Sequence, residues 1–450
     1  MNKFDESKLQ PARLFPVTGI KGAIEQERRT ASALLAVLQI VPELAFSLLK
    51  GIGAPKGQIE TFIEPEFQVG RTRVRPDGYI VISRGKTTWR ALVEVKTGKN
   101  ELDLAQINNY LDLCRDFRID ALITISNQVL NGSGSHPTEG LDLRKLRSTK
   151  LEHISWLRVI TDSIILTEHV GVEDNERDKI LKELTRFLQS KDSGAAEFND
   201  MGPGWATVRE GVKIGSYRRP DEDVLDVTSR FESLIRYAAF TLSARLGVKA
   251  KELTPKLARS DYRKHLNATA QELIDQKTLK GQIEIPGAAS KLNVVADLGS
   301  GALHCSFSID APQDSRNKTR INWILRQVKT APANASLSWT YKRARNSEKP
   351  LPISGLITGD VEYELDNSRE IASFTVDVVS KMGTKRSAGS GGFIDSVVEL
   401  IEETYGNLLQ TLKPWQAPAP KLSSKVKDII PSHEEEQDDL SLSIRPESVE

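Results

Sequence analysis

The spacing of apolar and polar residues in the first half of the chain predicts alternating helices and strands. Apolar positions in residues 22–49 recur with a helical period that breaks near Pro42, because proline cannot continue a helix. Runs of β-type residues follow at 60–69, 78–83 and 89–96, and the turn Arg84-Gly85-Lys86 makes the last two a hairpin. A helix at 101–116 and a buried strand at 120–126 come next. This order predicts the α/β class, with a mixed β-sheet flanked by helices.

The rest of the chain predicts a second domain and an acidic tail. Apolar residues at 154–166 favour a further strand, and the charged amphipathic pattern of 173–190 favours a helix. Beyond them we expect helices at 224–246, 320–330 and 393–412 and strands at 281–285, 292–297, 303–309 and 335–341. The predicted segments are an arm at 1–18, an α/β domain at 19–195, a linker at 196–204, an α/β or α+β domain at 205–415 and a disordered tail at 416–450.

Composition limits the class of protein. The chain has 450 residues with 62 Lys+Arg and 61 Asp+Glu, so its formal net charge is +1. That balance excludes a uniformly basic nucleic-acid coat but is compatible with a local basic groove. Cys114 and Cys305 are too far apart in the chain to suggest a disulfide framework, which favours a reducing compartment. Neither an apolar run of about 18 residues nor a signal-peptide core is present, so we expect a cytoplasmic protein with no membrane partner.

One cluster of residues has the composition of a reactive site. Asp77, in Arg75-Pro76-Asp77-Gly78, precedes one strand of the predicted hairpin, and Val93-Glu94-Val95-Lys96 ends the other. Because side chains alternate along a strand, Glu94 and Lys96 point to the same side, and the hairpin brings Asp77 near Glu94. Two carboxylates beside an ammonium suit Mg²⁺, which commonly takes one or two carboxylates, several waters and a substrate phosphate. Lys96 would orient an attacking water or stabilise developing charge.

Helical geometry selects a third acid on the first helix. At about 100° per residue, Ile24, Leu34 and Leu35 occupy one arc of that helix. Glu27 falls inside this apolar arc, whereas Glu25 falls outside it. A carboxylate in a core-facing stripe needs a partner, because unpaired burial of a charge is costly. Glu27 is therefore the acid predicted to face the cluster.

This arrangement resembles the PD-(D/E)xK nuclease superfamily, whose fold is restriction-endonuclease-like. The matching residues are Pro76-Asp77, followed across the hairpin by Glu94-Val95-Lys96. On the next predicted helix, Gln106 and Tyr110 fit the Q-x-x-x-Y element of RecB-like members, and their i, i+4 spacing places both on one face. The family often supplies a glutamate from the first helix, as Glu27 would here. The likeness covers roughly residues 20–195.

The resemblance implies a role for each matching residue. Asp77 and Glu94 would be ligands of Mg²⁺ or Mn²⁺, with the Val95 carbonyl as a third ligand. Lys96 would be the catalytic lysine, and Glu27 would be a supporting catalytic acid. The residues implied to organise the site or to contact DNA are Gln106 and Tyr110. Hydrolysis would leave a 5′-phosphate and a 3′-hydroxyl.

Each of these residues also has a plain structural explanation. Pro-Asp-Gly is a favoured turn in any protein, which alone would account for Asp77. Glu94 and Lys96 would suit the solvent face of an edge strand, and Gln106 and Tyr110 would suit an ordinary helix flank. Glu27 would be satisfied by a pair with Arg28.

Two groups of basic residues are candidates for contact with nucleic acid. Arg73 and Arg75 alternate in the stretch that leads to Asp77. A second group lies within 316–349 and interleaves with Trp323, Trp339 and Tyr341, an arrangement that suits phosphates and stacked bases. Packing of Trp323 in a core is the plain alternative. We define this second group as the basic segment: Arg316, Lys318, Arg320, Arg326, Lys342, Arg343 and Arg345.

The function expected from the sequence is a metal-dependent nuclease that cleaves DNA. The resemblance further suggests defence against foreign DNA, such as phage DNA, or DNA repair. The domain at 205–415 would bind substrate, a protein partner or a second copy of the chain. Two alternatives stay open: a non-cleaving nucleic-acid-binding or assembly module with a nuclease-like fold, and a nuclease directed at RNA.

Overall fold

A computed structural model of the chain describes residues 3–6, 9–14, 22–98, 100–128, 136–138, 140–146, 148–195, 198, 200–313, 316–389 and 391–416. Met1–Pro414 forms one compact unit. The tail predicted at 416–450 lies outside the described residues, apart from Gln416.

The first half of the chain contains short and long strands between helices. Its elements are β1 (Lys3–Phe4), β2 (Gln10–Pro11), α1 (Ala23–Ile40), α2 (Pro42–Leu49), β3 (Gln58–Ile63), β4 (Phe67–Val69), β5 (Thr72–Val74), β6 (Gly78–Arg84), β7 (Thr87–Val95), α3 (Leu104–Phe117), β8 (Ala121–Ser126), β9 (Lys150–Ser155), α4 (Trp156–Ile165) and α5 (Asn175–Gln189). The predicted hairpin is present as β6 and β7.

These strands build a mixed sheet in the order β2-β3-β6-β7-β8-β9. Strands β3, β6 and β7 are antiparallel, and a tight turn after Arg84 joins β6 directly to β7. Strands β7, β8 and β9 are parallel, and α3 provides the crossover that a parallel β7–β8 pair requires. A smaller sheet has the order β1-β4-β5. The predicted α/β class, with a mixed sheet flanked by helices, is confirmed.

Strand β7 is buried on both faces of the mixed sheet. Ala91, Val93 and Val95 pack into a core formed with α1, α2, α4 and α5. Leu92 points the other way and joins Tyr110 and its neighbours on α3. Burial of one large aliphatic side chain stabilises a fold by about 1.5–3 kcal/mol, so this strand is held firmly from both sides. A charged residue within β7 is therefore costly and needs an explanation.

The chain turns sharply between α1 and α2, at the break predicted near Pro42. The Val41 N–H donates to the Val37 carbonyl at 2.7 Å, and Pro42 then begins α2, where its missing N–H costs nothing. Among the described residues no single helix is long and apolar enough to cross a membrane. The pair Ile24–Ile40 and Pro42–Ile52, bent by 106°, meets that length and composition only when its two helices are joined.

The strand predicted at 154–166 is wrong. Strand β9 ends at Ser155, and the Ser155 hydroxyl accepts a hydrogen bond from the Arg158 N–H and thereby caps α4. Most of the α4 side chains are buried, and many are β-branched. β-Branched residues favour strands, and these follow directly on β9, so the segment resembled a continuation of the strand in the sequence. The strand predicted at 60–69 is likewise divided into β3 and β4.

The second half of the chain contains an antiparallel sheet. Its elements are α6 (Trp205–Ile214), α7 (Glu222–Leu246), β10 (Lys251–Glu252), α8 (Lys256–Ser260), α9 (Tyr262–Gln276), β11 (Thr278–Glu284), β12 (Leu292–Asp297), β13 (Ala302–Asp310), α10 (Asn317–Gln327), β14 (Ala335–Tyr341), β15 (Leu351–Pro352), α11 (Ile353–Thr358), β16 (Ile371–Lys381) and α12 (Phe393–Thr404). The strand order is β10-β11-β12-β13-β16-β14-β15. Alternate residues of β12, β13 and β14 are buried in a core shared with α7 and α12. The sequence pattern did not predict α6, α9 or β16.

A buried aspartate joins the two halves of the chain. Helices α4 and α7 pack together, and the Asp162 carboxylate on α4 is only 3% exposed. It accepts a hydrogen bond from the Ser47 hydroxyl at 2.8 Å and pairs with the Lys249 ammonium at 2.9 Å. Lys249 lies beyond the end of α7, so this ion pair links an N-terminal helix to the second half.

We expect Lys249→Ala to destabilise the protein by about 1–3 kcal/mol, because it leaves the buried Asp162 carboxylate without its cation. Urea denaturation measures the change in the free energy of unfolding. Lys251→Ala is the matched control, since Lys251 (68% exposed) pairs with a half-exposed Glu284 (50%), and such surface pairs contribute little. Equal losses in the two variants would contradict the role assigned to Asp162.

Candidate functional site

The hairpin brings two carboxylates to the same place. Asp77 directly precedes β6, and Gly78 pairs with Val93, so Asp77 lies beside the end of β7. The Val95 N–H donates to Asp77 Oδ2 at 2.7 Å, which fixes this carboxylate against the strand. Glu94, on β7, is only 1% exposed. The two acids predicted from the sequence are therefore neighbours at the end of a buried strand.

Gly78 is not the glycine of a tight turn. It is the first residue of β6, and its backbone is not in the left-handed region. A Cβ at this position would lie 2.5 Å from Leu35 Cδ1 on α1 and 3.2 Å from Val93 Cβ. Glycine fits here because the Leu35 side chain of α1 packs closely on the strand, so turn formation does not account for Asp77-Gly78.

Lys96 lies between two glutamates. Its Nζ is 2.7 Å from Glu94 Oε1 and 3.3 Å from Glu27 Oε1. The other Glu27 oxygen accepts a hydrogen bond from Asn100 Nδ2 at 3.4 Å. Glu25, by contrast, pairs with Arg29 one turn along the helix. Of the two candidate glutamates on α1, the structure directs Glu27 to the cluster.

The helix after β7 covers the same cluster. Gln106 Nε2 donates to the Tyr110 hydroxyl at 2.9 Å, and that hydroxyl donates to the Arg75 carbonyl at 3.4 Å. Asp103 caps α3 by accepting from the Gln106 N–H at 2.7 Å, which sets where the helix begins. Tyr110 is buried, so Gln106 and Tyr110 bind each other and hold the backbone just before Asp77.

Burial and mutual repulsion shift the acids of this cluster. Burial, then the nearby Glu94 carboxylate, raises the pKa of Asp77 well above its usual range. Burial also raises the pKa of Glu94, although Lys96 opposes that shift. Burial alone would lower the pKa of Lys96, but Glu94, Asp77 and Glu27 together raise it above its usual value. Lys96 is therefore an ammonium at neutral pH. Its single positive charge does not balance the negative charge that Asp77 and Glu94 would carry together.

The donor atoms suit a hard divalent cation that binds few protein ligands. Within the part of the chain that the structure describes, Glu94 Oε2 is buried and makes no hydrogen bond of ordinary geometry, although the Tyr110 hydroxyl and the Asp77 carboxyl are close enough to lower the pKa of Glu94. No described group of three or more His, Cys, Asp or Glu side chains is placed to hold a metal ion. Two carboxylates are, however, what Mg²⁺ commonly takes from a protein when waters and a substrate phosphate supply the rest. Asp77 and Glu94 fit that requirement.

A row of polar side chains beside the cluster was not predicted. Glu94, Thr124 and His153 are register neighbours on β7, β8 and β9. The Thr138 N–H donates to His136 Nδ1 at 3.1 Å, and Thr124 Oγ1 lies 2.8 Å from His136 Nε2 and 2.9 Å from His153 Nδ1. Burial lowers the pKa of His153 to about 4 and, with His153 nearby, that of His136 to about 3. Both imidazoles are neutral at physiological pH. The histidines are far apart in sequence, so only strand register reveals the row.

The two arginines near the cluster are exposed, and they share one acidic partner. Arg73 and Arg75 both approach Glu66, at 3.4 and 3.2 Å, so one carboxylate offsets two cations. They lie in and just after β5, close in sequence to Asp77. Arg75 also contributes the carbonyl that Tyr110 contacts.

Within the basic segment, Arg320 does not reach the surface. Its side chain is 2% exposed, and Nη1 donates to the Ile371 carbonyl at 3.0 Å, so it is a core residue. The other six basic side chains are exposed, although Lys342 pairs with Glu370. Trp339 and Tyr341 face the core because alternate residues of β14 are buried, which removes them as stacking platforms. Trp323 is half-buried against the same core.

Comparison of the chain with protein families, with characterised proteins and with solved structures finds no match to any of them.

We expect Asp77→Asn to stabilise the metal-free protein, because it removes one of two adjacent carboxylates, the half-buried neighbour of Glu94, while its amide oxygen still accepts from Val95. A carboxyl with a raised pKa binds more protons when folded, so its unfavourable effect grows as the pH rises above the ordinary value near 3.8. The gain, roughly 1–3 °C in Tm, should appear at neutral pH and vanish in acid.

Thermal unfolding in EDTA and in Mg²⁺, at neutral and acidic pH, measures this effect. Mg²⁺ should raise the Tm of the unchanged protein and should not raise that of Asp77→Asn. Glu66→Gln, at a carboxylate that pairs with arginines, is the control. Its Tm in EDTA should not rise, and Mg²⁺ should raise its Tm as in the unchanged protein. A lower Tm for Asp77→Asn in EDTA would contradict the repulsion inferred here.

Proposed function

We propose that this chain is a metal-dependent nuclease that hydrolyses phosphodiester bonds of DNA, with a restriction-endonuclease-like domain in its first half. One observation carries the proposal. A buried carboxylate, Glu94, and a half-buried one, Asp77, lie together beside the Lys96 ammonium, which hydrogen-bonds only one oxygen of Glu94. Perturbed acids with a specific charge partner are more frequent at functional sites than in purely structural clusters.

The residues of the chain have separable tasks in this proposal. Asp77 and Glu94 would hold Mg²⁺ or Mn²⁺, which when bound polarises the phosphoryl group and acidifies water. Lys96 carries a raised pKa, so it acts as a fixed positive charge and hydrogen-bond donor, and does not remove a proton. Its Nζ would face the charge that develops on the phosphate oxygens. Glu27 keeps Nζ directed toward the site by accepting one of its hydrogens.

The position of Glu94 argues against a purely structural cluster. A carboxylate in a strand packed on both faces gains nothing in stability over an apolar residue of the same size. Its nearest cation, Lys96, hydrogen-bonds one oxygen, and the remaining neighbours that lower its pKa are the Tyr110 hydroxyl and the Asp77 carboxyl, neither of which is a cation.

We expect Lys96→Met to reduce metal-dependent cleavage by about 10²–10⁴-fold, the range seen when a positioned catalytic group is removed. The assay offers single-stranded, linear and circular DNA, and RNA, in Mg²⁺, Mn²⁺ or EDTA. Lys86→Met is the matched control, because Lys86 is exposed in the turn of the same hairpin.

The outcomes separate this proposal from its alternatives. Cleavage of DNA that requires metal and is lost only in Lys96→Met supports it. Cleavage of RNA alone would favour the RNA-directed nuclease. Metal-dependent binding without cleavage of any substrate would favour the nucleic-acid-binding or assembly module. Defence against foreign DNA or DNA repair remains the biological context that the family resemblance suggests.

The exposed members of the basic segment would help to bind the substrate. Lys318 and Arg326 lie on α10, whereas Arg343 and Arg345 lie in the turn after β14. Glu370 approaches both the buried Arg320 and Lys342, so it connects β14 and α10 to the start of β16. Arg343 and Arg345 have no acidic partner among the described ion pairs, which leaves their charge available for phosphates.

We expect the double substitution Arg343→Ala and Arg345→Ala to lower affinity for DNA and to reduce the slope of log K against log salt by about 2, one for each arginine–phosphate pair that the substitution removes. Fluorescence anisotropy over a range of salt measures both quantities. Lys342→Ala should change the slope less, because Glu370 already pairs with Lys342. An unchanged slope in the double variant would remove this surface from the proposal.

A further inference from the structure

Lys96 follows the last residue of β7, where regular strand pairing ends. Its N–H donates to the Ile125 carbonyl of β8 at 2.7 Å. Its carbonyl accepts a hydrogen bond from Trp156 Nε1 at 2.9 Å. Two residues later, the Gly98 N–H donates to the Gly194 carbonyl at 2.8 Å. Trp156 therefore supplies the side-chain contact to the backbone of Lys96 itself.

Trp156 is itself held rigidly. It is the first residue of α4 and is fully buried among the core residues of the mixed sheet. The preceding residue, Ser155, pairs with Ser126 of β8 and caps the helix through its hydroxyl. The indole is thus positioned by the junction of β9 and α4. A buried indole N–H needs an acceptor, and the only one it has among the described residues is the Lys96 carbonyl.

We infer that Trp156 is a positioning residue for Lys96, which holds the lysine backbone so that Nζ stays between Glu94 and Glu27. This inference rests on the nuclease function proposed above. The ammonium reaches both carboxylates from a long, flexible side chain, so its position depends on where the backbone is fixed. A shift of about 1 Å in such a group is enough to slow catalysis.

Trp156→Phe tests the inference because it keeps an aromatic ring and removes the N–H donor. Loss of one such hydrogen bond should lower kcat by about fivefold and change KM by less than about twofold. Trp205→Phe is the matched control. Trp205 is also fully buried, but its Nε1 has no hydrogen-bond partner within the described chain. It should leave kcat unchanged even if both variants lose similar stability.

Hydrogen exchange supplies a second readout that does not depend on activity. Amides of Lys96 and Gly98 should exchange about fivefold faster in Trp156→Phe than in the unchanged protein, and at the normal rate in Trp205→Phe. Unchanged exchange in Trp156→Phe would overturn the inference, and so would faster exchange with an unchanged kcat. If the unchanged protein cleaves no nucleic acid, the proposed function fails. In that case, if the amides at 96–98 of Trp156→Phe also exchange as slowly as those of the unchanged protein, the positioning role fails as well.

Discussion

Two carboxylates, one of them fully buried, lie side by side where the central strand of the mixed sheet ends. Glu94 belongs to a strand whose neighbouring residues are packed on both faces, so its charge cannot reach solvent. The Val95 amide and the Lys96 ammonium compensate for part of that burial. A proton or a cation must supply the remainder. Much of the surrounding structure holds these two carboxylates and the Lys96 ammonium in place.

Distant parts of the chain converge on this point. Helix α1 contributes Glu27, the β6–β7 hairpin contributes both acids, and α3 contributes Gln106 and Tyr110. The backbone around Lys96 is fixed by β8, α4 and the segment after α5. Each contribution comes from a helix, a strand or the end of one, so the fold itself fixes the geometry of this cluster. The second half of the chain is joined to this layer by the packing of α7 on α4, the helix that begins with Trp156.

Strand alternation and helical period were sufficient to predict the hairpin, the shared direction of Glu94 and Lys96, and Glu27 in place of Glu25. These patterns are local, and each is a consequence of backbone geometry alone. The α4 segment was assigned wrongly because half of its residues are β-branched, a type that favours strands, and they follow directly on β9. Trp156, Thr124 and His153 could not be identified, because their partners are fixed by strand register between segments far apart in sequence. Arg320 resembled its exposed neighbours in charge, and only the fold makes it a core residue.

The close approach of Gly78 to Leu35 links the acid–glycine pair of the hairpin to the glutamate on α1. Leu35 lies eight residues after Glu27 on the same helix, about 12 Å along its axis. A side chain at position 78 would have to displace the Leu35 side chain from its place in the core. The packing of the first residue of β6 is therefore shared with the helix that carries Glu27.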